Sequence, residues 1–346
     1  MAVKFQIVDP CDVPNWNEIV LIFPEASIFH SVEWARVLIE AYKFKPLYCI
    51  AYDEGKPVAI IPLMEVHGLL GRKKGISLPF SDFCQPLFKE QNAFLDTFKF
   101  TQETGIKNHW QSLSIRGNAP FSETTRISTY YYRHILKLSN NPDELFKLFR
   151  ENTRRNIKKA IKENVTITFE NSLEAVKEFY RLNCLTRRRH GLPPQPFYFF
   201  GNVHKHLLHD TGGSIALARC NNVIIAASVF LRFGKTAFFK FGASDDRFVK
   251  TQANYLLMWE AIQKFARAGS ELFCFGRTES QHEGLLQFKN GWGAEQLTIN
   301  NYLYNFRKND FIKEDLQTSG LYTKVFRRLP LSVLRLIGLL FYKYSG

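Results

Sequence analysis

Apolar and polar positions change period several times along the first 140 residues. Residues 4–9 alternate, as in a short strand, and residues 15–23 and 32–42 carry helical apolar spacing. The run 47-LYCIAYDEGKPVAIIPLMEV-66 sets two β-rich stretches around Asp-Glu-Gly-Lys, a hairpin signal. A strand-like run over 75–88, a helix over 92–104 and a strand over 112–116 complete this half.

The second half repeats the grammar. Helical spacing covers 173–189 and 196–208. The stretch 215-IALARCNNVIIAASVFLRF-233 is again two β runs around a polar turn, here Asn-Asn. A strand over 236–246, a helix over 253–268 and a strand over 271–275 follow. The order helix, helix, hairpin, strand, helix, strand thus occurs twice, which predicts two copies of one α/β unit with a mixed sheet. Chance similarity between two hairpins is the alternative. The turn-rich Ser139-Asn140-Asn141-Pro142 marks the boundary, giving domains over 1–140 and 141–310 and a tail over 311–346.

Two segments stand out by charge. The helix within 150-RENTRRNIKKAIKENV-165 carries Arg150, Arg154, Arg155, Lys158, Lys159 and Lys162, with Leu148, Phe149, Ile157 and Ile161 as its expected anchoring stripe. Its basic face is either a solvated surface or a contact for phosphates, for which Arg154, Arg155 and Lys158 are the candidates. The tail 324-KVFRRLPLSVLRLIGLLFYKYSG-346 is strongly apolar but interrupted by Arg327, Arg328, Arg335 and Lys343. It reads as an amphipathic helix on an anionic membrane surface, on a partner, or on the protein's own core.

Composition agrees with a globular chain large enough for two cores: 346 residues, 45% hydrophobic and 23% charged. The formal net charge of +14 asks for an acidic partner, whether RNA, lipid headgroup or phosphorylated substrate. Six scattered cysteines form no metal-ligand or CxxC pattern and are expected as buried free thiols of a cytoplasmic protein. No signal-peptide core opens the chain, and no apolar run is long enough to span a bilayer. Phosphate-loop, nucleophile-elbow, zinc-helix and dinucleotide fingerprints are missing. His206 and His209 could share a helix face, but a packing or surface role fits them better, and no metal is expected.

The stretch 273-FCFGRTESQHEGLLQFKNGWG-293 places Lys289 between Phe288 and a Gly-Trp-Gly turn. A lysine there is either a surface residue after an amphipathic helix or a cation aimed at an anionic partner in a cleft. Together with 29-FHSVEW-34, 148–165, 186-TRRRHGLP-193 and 253-ANYLLMWEAIQKFARAG-269, this stretch resembles the FemAB-like aminoacyl/acyltransferases of the GNAT-like superfamily. The resemblance runs from about residue 25 to 307, and the phenylalanine-lysine pair with its Gly-Trp-Gly turn is its most specific part.

That resemblance implies two tandem GNAT-like domains plus the C-terminal amphipathic helix. It also implies an acyl- or aminoacyltransferase that forms an amide, less readily an ester, on a cell-envelope or exopolysaccharide precursor. No cofactor would be tightly bound, and the donor would be acyl-CoA or aminoacyl-tRNA. Lys289 would sit at the donor site and steady a tetrahedral oxyanion. Phe288 would shape the pocket, with Asn254, Tyr255 and Trp292 beside it, and Gly291 and Gly293 would let backbone approach the donor. Arg277 and Arg187 would bind phosphate or carboxylate, and His190 would accept the amine's proton. A structural ion pair for Arg277, and a response of the 187–189 arginines to the helix dipole, are the other readings.

Two departures narrow the resemblance. Leu38 stands where cell-wall members carry a lysine for the nucleotide-sugar diphosphate. The glycine-rich coenzyme-A signature is replaced by 247-RFVKTQANYLL-257, although N–H groups at that helix start could still cradle phosphate. A coiled-coil arm, found in some tRNA-using members, is not evident. A non-catalytic envelope-assembly factor and an RNA-binding protein on the same fold are the rival functions.

Overall fold

The computed structural model describes residues 3–69, 71–209, 212–314 and 320–344. They fall into two units. The first draws on 1–131, 298–316 and 343–346, and the second on 132–297 and 317–342. The sequence boundaries at 140 and 310 follow composition along the chain. The two compact units divide within the strand Thr129–Lys137, with 298–314 in the first and 320–342 in the second.

The first unit runs β1 (Lys4–Val8), α1 (Trp16–Leu21), α2 (Val32–Tyr42), β2 (Lys45–Pro46), β3 (Tyr48–Asp53), β4 (Lys56–Ile61), β5 (Met64–His67), β6 (Lys73–Ile76), β7 (Leu87–Phe88), α3 (Gln91–Lys107) and β8 (Ser112–Arg116). One antiparallel sheet has the order β1-β3-β4-β7. The β3–β4 turn uses Glu54 at φ 47° and Gly55 at φ 76°, two left-handed residues that suit a tight hairpin. Strand β6 pairs antiparallel with β5 and parallel with β8. The expected strand over 75–88 is not continuous. Leu78 and Phe80 both take positive φ on either side of Pro79, so β6 ends at Ile76, and pairing resumes first at an isolated antiparallel bridge between Cys84 and Arg116 and then at β7. Ser77 pins this loop by donating to the Cys84 carbonyl at 2.7 Å and accepting from the Arg116 N–H at 2.8 Å.

His30, 1% exposed, accepts from the Ser27 N–H at Nδ1 (3.1 Å) and therefore donates from Nε2 to the Gln85 carbonyl (2.9 Å). Burial pushes its pKa down from 6.5 to about 4, against the pull of those bonds. The folded state thus resists protonation. Stability is full above pH 6.5 and falls as pH drops through 4, by roughly 3 kcal/mol. Urea unfolding of wild type and His30→Asn between pH 7 and 4 checks this. The variant is expected to lose most of the slope in that window, at the cost of lower stability at pH 7.

The second unit begins within β9 (Thr129–Lys137) and continues through α4 (Pro142–Leu148), α5 (Glu151–Lys162), β10 (Thr166–Glu170), α6 (Leu173–Arg189), α7 (Phe197–Leu207), β11 (Ser214–Cys220), β12 (Val223–Phe233), β13 (Thr236–Ser244), α8 (Ala253–Arg267), β14 (Leu272–Glu279) and α9 (Glu283–Asn290). Strands β10, β11, β12 and β13 are successively antiparallel, and β14 joins β13 in parallel. The β11–β12 turn is Asn221 and Asn222, both at positive φ, as the Asn-Asn signal predicts. Next comes β15 (Glu295–Asn305), which pairs antiparallel with β8 and with β16 (Asp310–Ile312). Helices α10 (Gly320–Arg328) and α11 (Leu331–Phe341) close the chain.

Each unit therefore carries strand, helix, helix, antiparallel hairpin, further strand, helix and a strand added in parallel. The expected duplication is present in element order and strand sense, and the fold is mixed α/β. Its second core gathers Phe149, Ile157 and Ala160 with Trp259, Phe265, Phe275 and Trp292. The anchoring stripe of the basic helix differs from expectation. Thr153, Ile157 and Ala160 are buried, while Leu148 and Ile161 are each 55% exposed. Helix α11 docks by Leu334 and by Gly338, where a β-carbon would strike the Pro194 carbonyl. Its opposite face leaves Val333, Leu336 and Leu340 exposed. Five cysteines are buried free thiols and Cys11 is half-buried. Among the described residues no helix is long and apolar enough to cross a membrane.

Candidate active site

The site is built on the end of β14 and on α9. Lys289, in the last turn of α9, is only 2% exposed, so its position is not that of a surface lysine. Its ammonium donates to the carbonyls of Gly276 (3.0 Å) and Arg277 (3.1 Å). Successive carbonyls of a regular strand point in opposite directions. Gly276, at φ 70°, breaks that alternation, and both oxygens converge on Nζ.

Beyond α9, Trp292 is fully buried, with its ring centroid 5.0 Å from Phe149, 5.7 Å from Phe288, 6.0 Å from Tyr255 and 6.2 Å from Phe275. A β-carbon at Gly291 would strike Thr153 Oγ1, and Gly293 takes φ 68° against the Leu148 carbonyl. The two glycines are therefore spent on seating Trp292 against the α4–α5 corner, not on opening backbone toward a donor. Trp292 itself has no surface for substrate contact. The Arg150 N–H donates to the Gly291 carbonyl at 2.9 Å, which fixes the start of the basic helix α5 at the Lys289 end of α9.

The structure brings Tyr255, half-buried in the first turn of α8, to 5.0 Å from Phe288 between ring centroids, with Lys289 next in sequence. Asn254 beside it is exposed, and Arg277 is half-buried. On α5, Arg155 and Lys158 are exposed and Arg154 is half-buried. Arg187 and His190 belong to a different cluster at the end of α6. Arg187 donates from Nε to the Pro193 carbonyl at 3.2 Å, bracing the following loop. His190 caps α6, and its pKa is lowered by burial first and then by Arg189, Arg187, His282 and Arg327. That leaves it neutral at pH 7 and able to accept a proton. His282 precedes α9, so His190 lies toward the opposite end of that helix from Lys289, about 10 Å along its axis.

One residue escaped the sequence reading. His134 of β9 is fully buried and meets Asn290 Oδ1 at 2.9 Å and Gln296 Oε1 at 3.2 Å through Nε2. Burial and then the charge of Lys289 lower its pKa, so it stays neutral and ties down the end of α9. The available signal was the β-rich run 129-TYYYRHILK-137. Leu38, the departure noted above, is fully buried on α2 and is a core residue. Of the histidines at the end of α7, His204 and His209 pack together with ring centroids 4.6 Å apart, and His204 Nε2 bonds the Asn171 carbonyl.

The chain repeats one α/β order twice, each time with a late strand added in parallel, and known proteins share this arrangement. The family described as Acetyltransferase (GNAT) domain matches residues 147–290. The UDP-N-acetylmuramoylpentapeptide-lysine N(6)-alanyltransferase of Weissella viridescens is 24% identical over 159 residues. That match takes in 45% of this chain and about half of the relative's length, 47%. A crystal structure of FemX aligns with a TM-score of 0.65 at 13% identity, covering 86% of this chain and 96% of that one. A tandem GNAT protein from the clavulanic acid biosynthesis pathway aligns with a TM-score of 0.54 at 9% identity, covering 88% and 99%. The chain is thus similar to these transferases in sequence over part of its length and shares their mixed α/β fold.

Proposed function

We propose that this protein transfers an aminoacyl group from tRNA to an amine of a cell-envelope peptide precursor, forming an amide. The observation that carries the reading is the Lys289 ammonium. It is buried against β14, inside the segment that matches an acetyltransferase domain, and the chain's likeness to an alanyltransferase over 159 residues supports aminoacyl transfer. The acceptor nitrogen attacks the carbonyl carbon of the aminoacyl ester. The π electrons move to oxygen, and the tetrahedral oxyanion is held by the nearby positive charge. Collapse expels the ribose oxygen, which takes a proton, while the amine's proton passes to a base. In a buried, weakly polarisable setting the field of Lys289 is screened less than in water. His190, neutral at pH 7 but about 10 Å along α9 from Lys289, takes that proton only through intervening solvent, and the same solvent protonates the ribose oxygen.

The basic helix supports a polyanionic donor over a small one, because Arg150, the residue that opens it, is bonded to the turn that follows Lys289. The buried Leu38 argues against a nucleotide-sugar diphosphate held as cell-wall members hold it. Exopolysaccharide amines, ester products and acyl-CoA donors are therefore arms of the test. The reaction would take place at the inner face of the membrane, where the outer face of α11 can rest.

Purified protein is offered alanyl-tRNA and acetyl-CoA separately, with nucleotide-linked and lipid-linked peptide precursors and polysaccharide extracts as acceptors. Amide formation from alanyl-tRNA on a peptide precursor is expected, and its absence with every acceptor sinks the proposal. The double variant Arg155→Gln/Lys158→Gln should weaken alanyl-tRNA binding and flatten its log–log salt dependence by roughly 1 to 2. An unchanged slope removes α5 from the donor site.

A further inference from the structure

A cavity of about 420 Å³ opens in the second unit between α6, the start of α7 and α11. Its α6 wall is one stripe: Lys177, Tyr180, Arg181 and Cys184 recur at spacings of three and four. Tyr180 and Cys184 are 8% and 4% exposed, and Phe197 meets the Tyr180 ring edge-on at 5.2 Å. Leu331 of α11 completes the apolar lining. Burial pushes the Tyr180 hydroxyl up to about 12, with Cys184 adding to it, and raises the Cys184 thiol too. The floor is therefore uncharged at neutral pH. The lining also carries three cations: Lys177, Arg181 and Arg335, whose guanidinium carbon is 5.4 Å from the Tyr180 ring centroid. Glu174 and Glu178 reach Lys177 and Arg181 at 2.7 and 3.0 Å, but these are exposed neighbours on one helix, a kind of pair that yields readily to a stronger anion.

We propose that this cavity binds the single apolar chain of an anionic amphiphile, with the headgroup on Lys177, Arg181 and Arg335. A purely ionic ligand would leave the apolar floor wetted, and a purely apolar one would gain nothing from the three cations, whose present partners are exposed carboxylates, the Ile224 carbonyl and the Tyr180 hydroxyl. An amphiphile satisfies both. The volume lies toward the low end for small-molecule sites, which suits one chain. Helices α10 and α11 contain no acidic residue, so nothing on them repels an anionic headgroup. The ligand can arrive as a free monomer or from a bilayer touching the outer face of α11. The inference does not require acyl transfer, and its test needs no turnover.

The full chain is titrated calorimetrically with dodecyl phosphate below its micellar concentration. Dodecyl maltoside serves as the neutral chain and inorganic phosphate as the bare headgroup. Dodecyl phosphate should bind one-to-one, at least about tenfold tighter than either comparator. Leu331→Trp, which fills the cavity from a half-buried position, should weaken it about tenfold. Arg335→Gln should bring it to the level of the maltoside. Circular dichroism confirms that both variants fold. Flotation with phosphatidylglycerol vesicles then distinguishes the sources: loss of flotation in both variants identifies a bilayer lipid, and unchanged flotation beside weakened dodecyl phosphate binding identifies a free monomer. No saturable binding, no preference for the charged amphiphile, or a Leu331→Trp protein that binds dodecyl phosphate as wild type does overturns the proposal. Vesicle binding with no effect of either variant on dodecyl phosphate also overturns it, since the outer face of α11 would then act alone.

Discussion

Lys289→Met is expected to reduce transfer by ~100- to 1,000-fold per folded molecule, the range for removing one preorganised oxyanion donor. Methionine keeps most of the stem and therefore most of the packing. It removes the ammonium that bonds the Gly276 and Arg277 carbonyls, leaving two oxygens at a buried position without that donor. Such oxygens cost about 1–3 kcal/mol each, so the variant should also melt earlier. The two effects separate two roles for the lysine. Where it only clamps the end of β14 to α9, turnover per folded molecule stays close to wild type while the melting temperature drops. Where it also steadies developing charge, kcat falls far more than the folded fraction does. Lys289→Arg sharpens the comparison. The charge is kept, but a planar fork replaces a compact ammonium and cannot meet two converging carbonyls in the same way. Partial stability with poor rescue of kcat would show that the position of the charge matters as well as its sign. Lys289→Met with wild-type kcat would remove the lysine from the chemistry.

Much of the architecture was legible because its signals are local. The Asn221-Asn222 and Glu54-Gly55 turns, the helices of the second half and the strand Ser112–Arg116 follow from turn chemistry and apolar period. Strands β9, β10 and β15 lie outside the repeated grammar and were passed over, although β9 is rich in aromatic and β-branched residues. The 75–88 loop was misjudged because its breaks depend on Leu78 and Phe80 in left-handed backbone, a conformation their side chains do not advertise. At the site, the Phe288-Lys289 pair could be found, but the destination of the ammonium could not. The convergence of two carbonyls needs the kink at Gly276, and His134 joins α9 from far away in sequence through Asn290. The flanking glycines carry the clearest lesson. Glycine permits close approach, and the sequence does not say what approaches. Here it is Thr153 and Leu148.

That packing role leads to the second large effect. Trp292→Ala should destabilise the protein by about 3–5 kcal/mol, the cost of truncating a large, fully buried aromatic, since Phe149, Phe275, Phe288 and Tyr255 all lose a ring neighbour. Trp292→Phe should cost less because part of the contact survives. Gly291→Ala probes the same seat from the backbone. Its new methyl collides with Thr153 Oγ1 while Gly291 itself keeps helical φ, so the strain is steric and not conformational. Thr153→Ala removes the offending oxygen. Chemical denaturation of the two single variants and the double variant forms a closed cycle, and the double variant is expected to be more stable than the sum of the singles by about 1 kcal/mol or more. Strict additivity would mean that α9 relieves the clash by shifting away from α5. The Arg150–Gly291 bond would then be lost, and Lys289 would be carried off its two carbonyls. Transfer activity in Gly291→Ala should therefore track this coupling: recovered by Thr153→Ala if the seat is rigid, and unrecovered if the helix has moved.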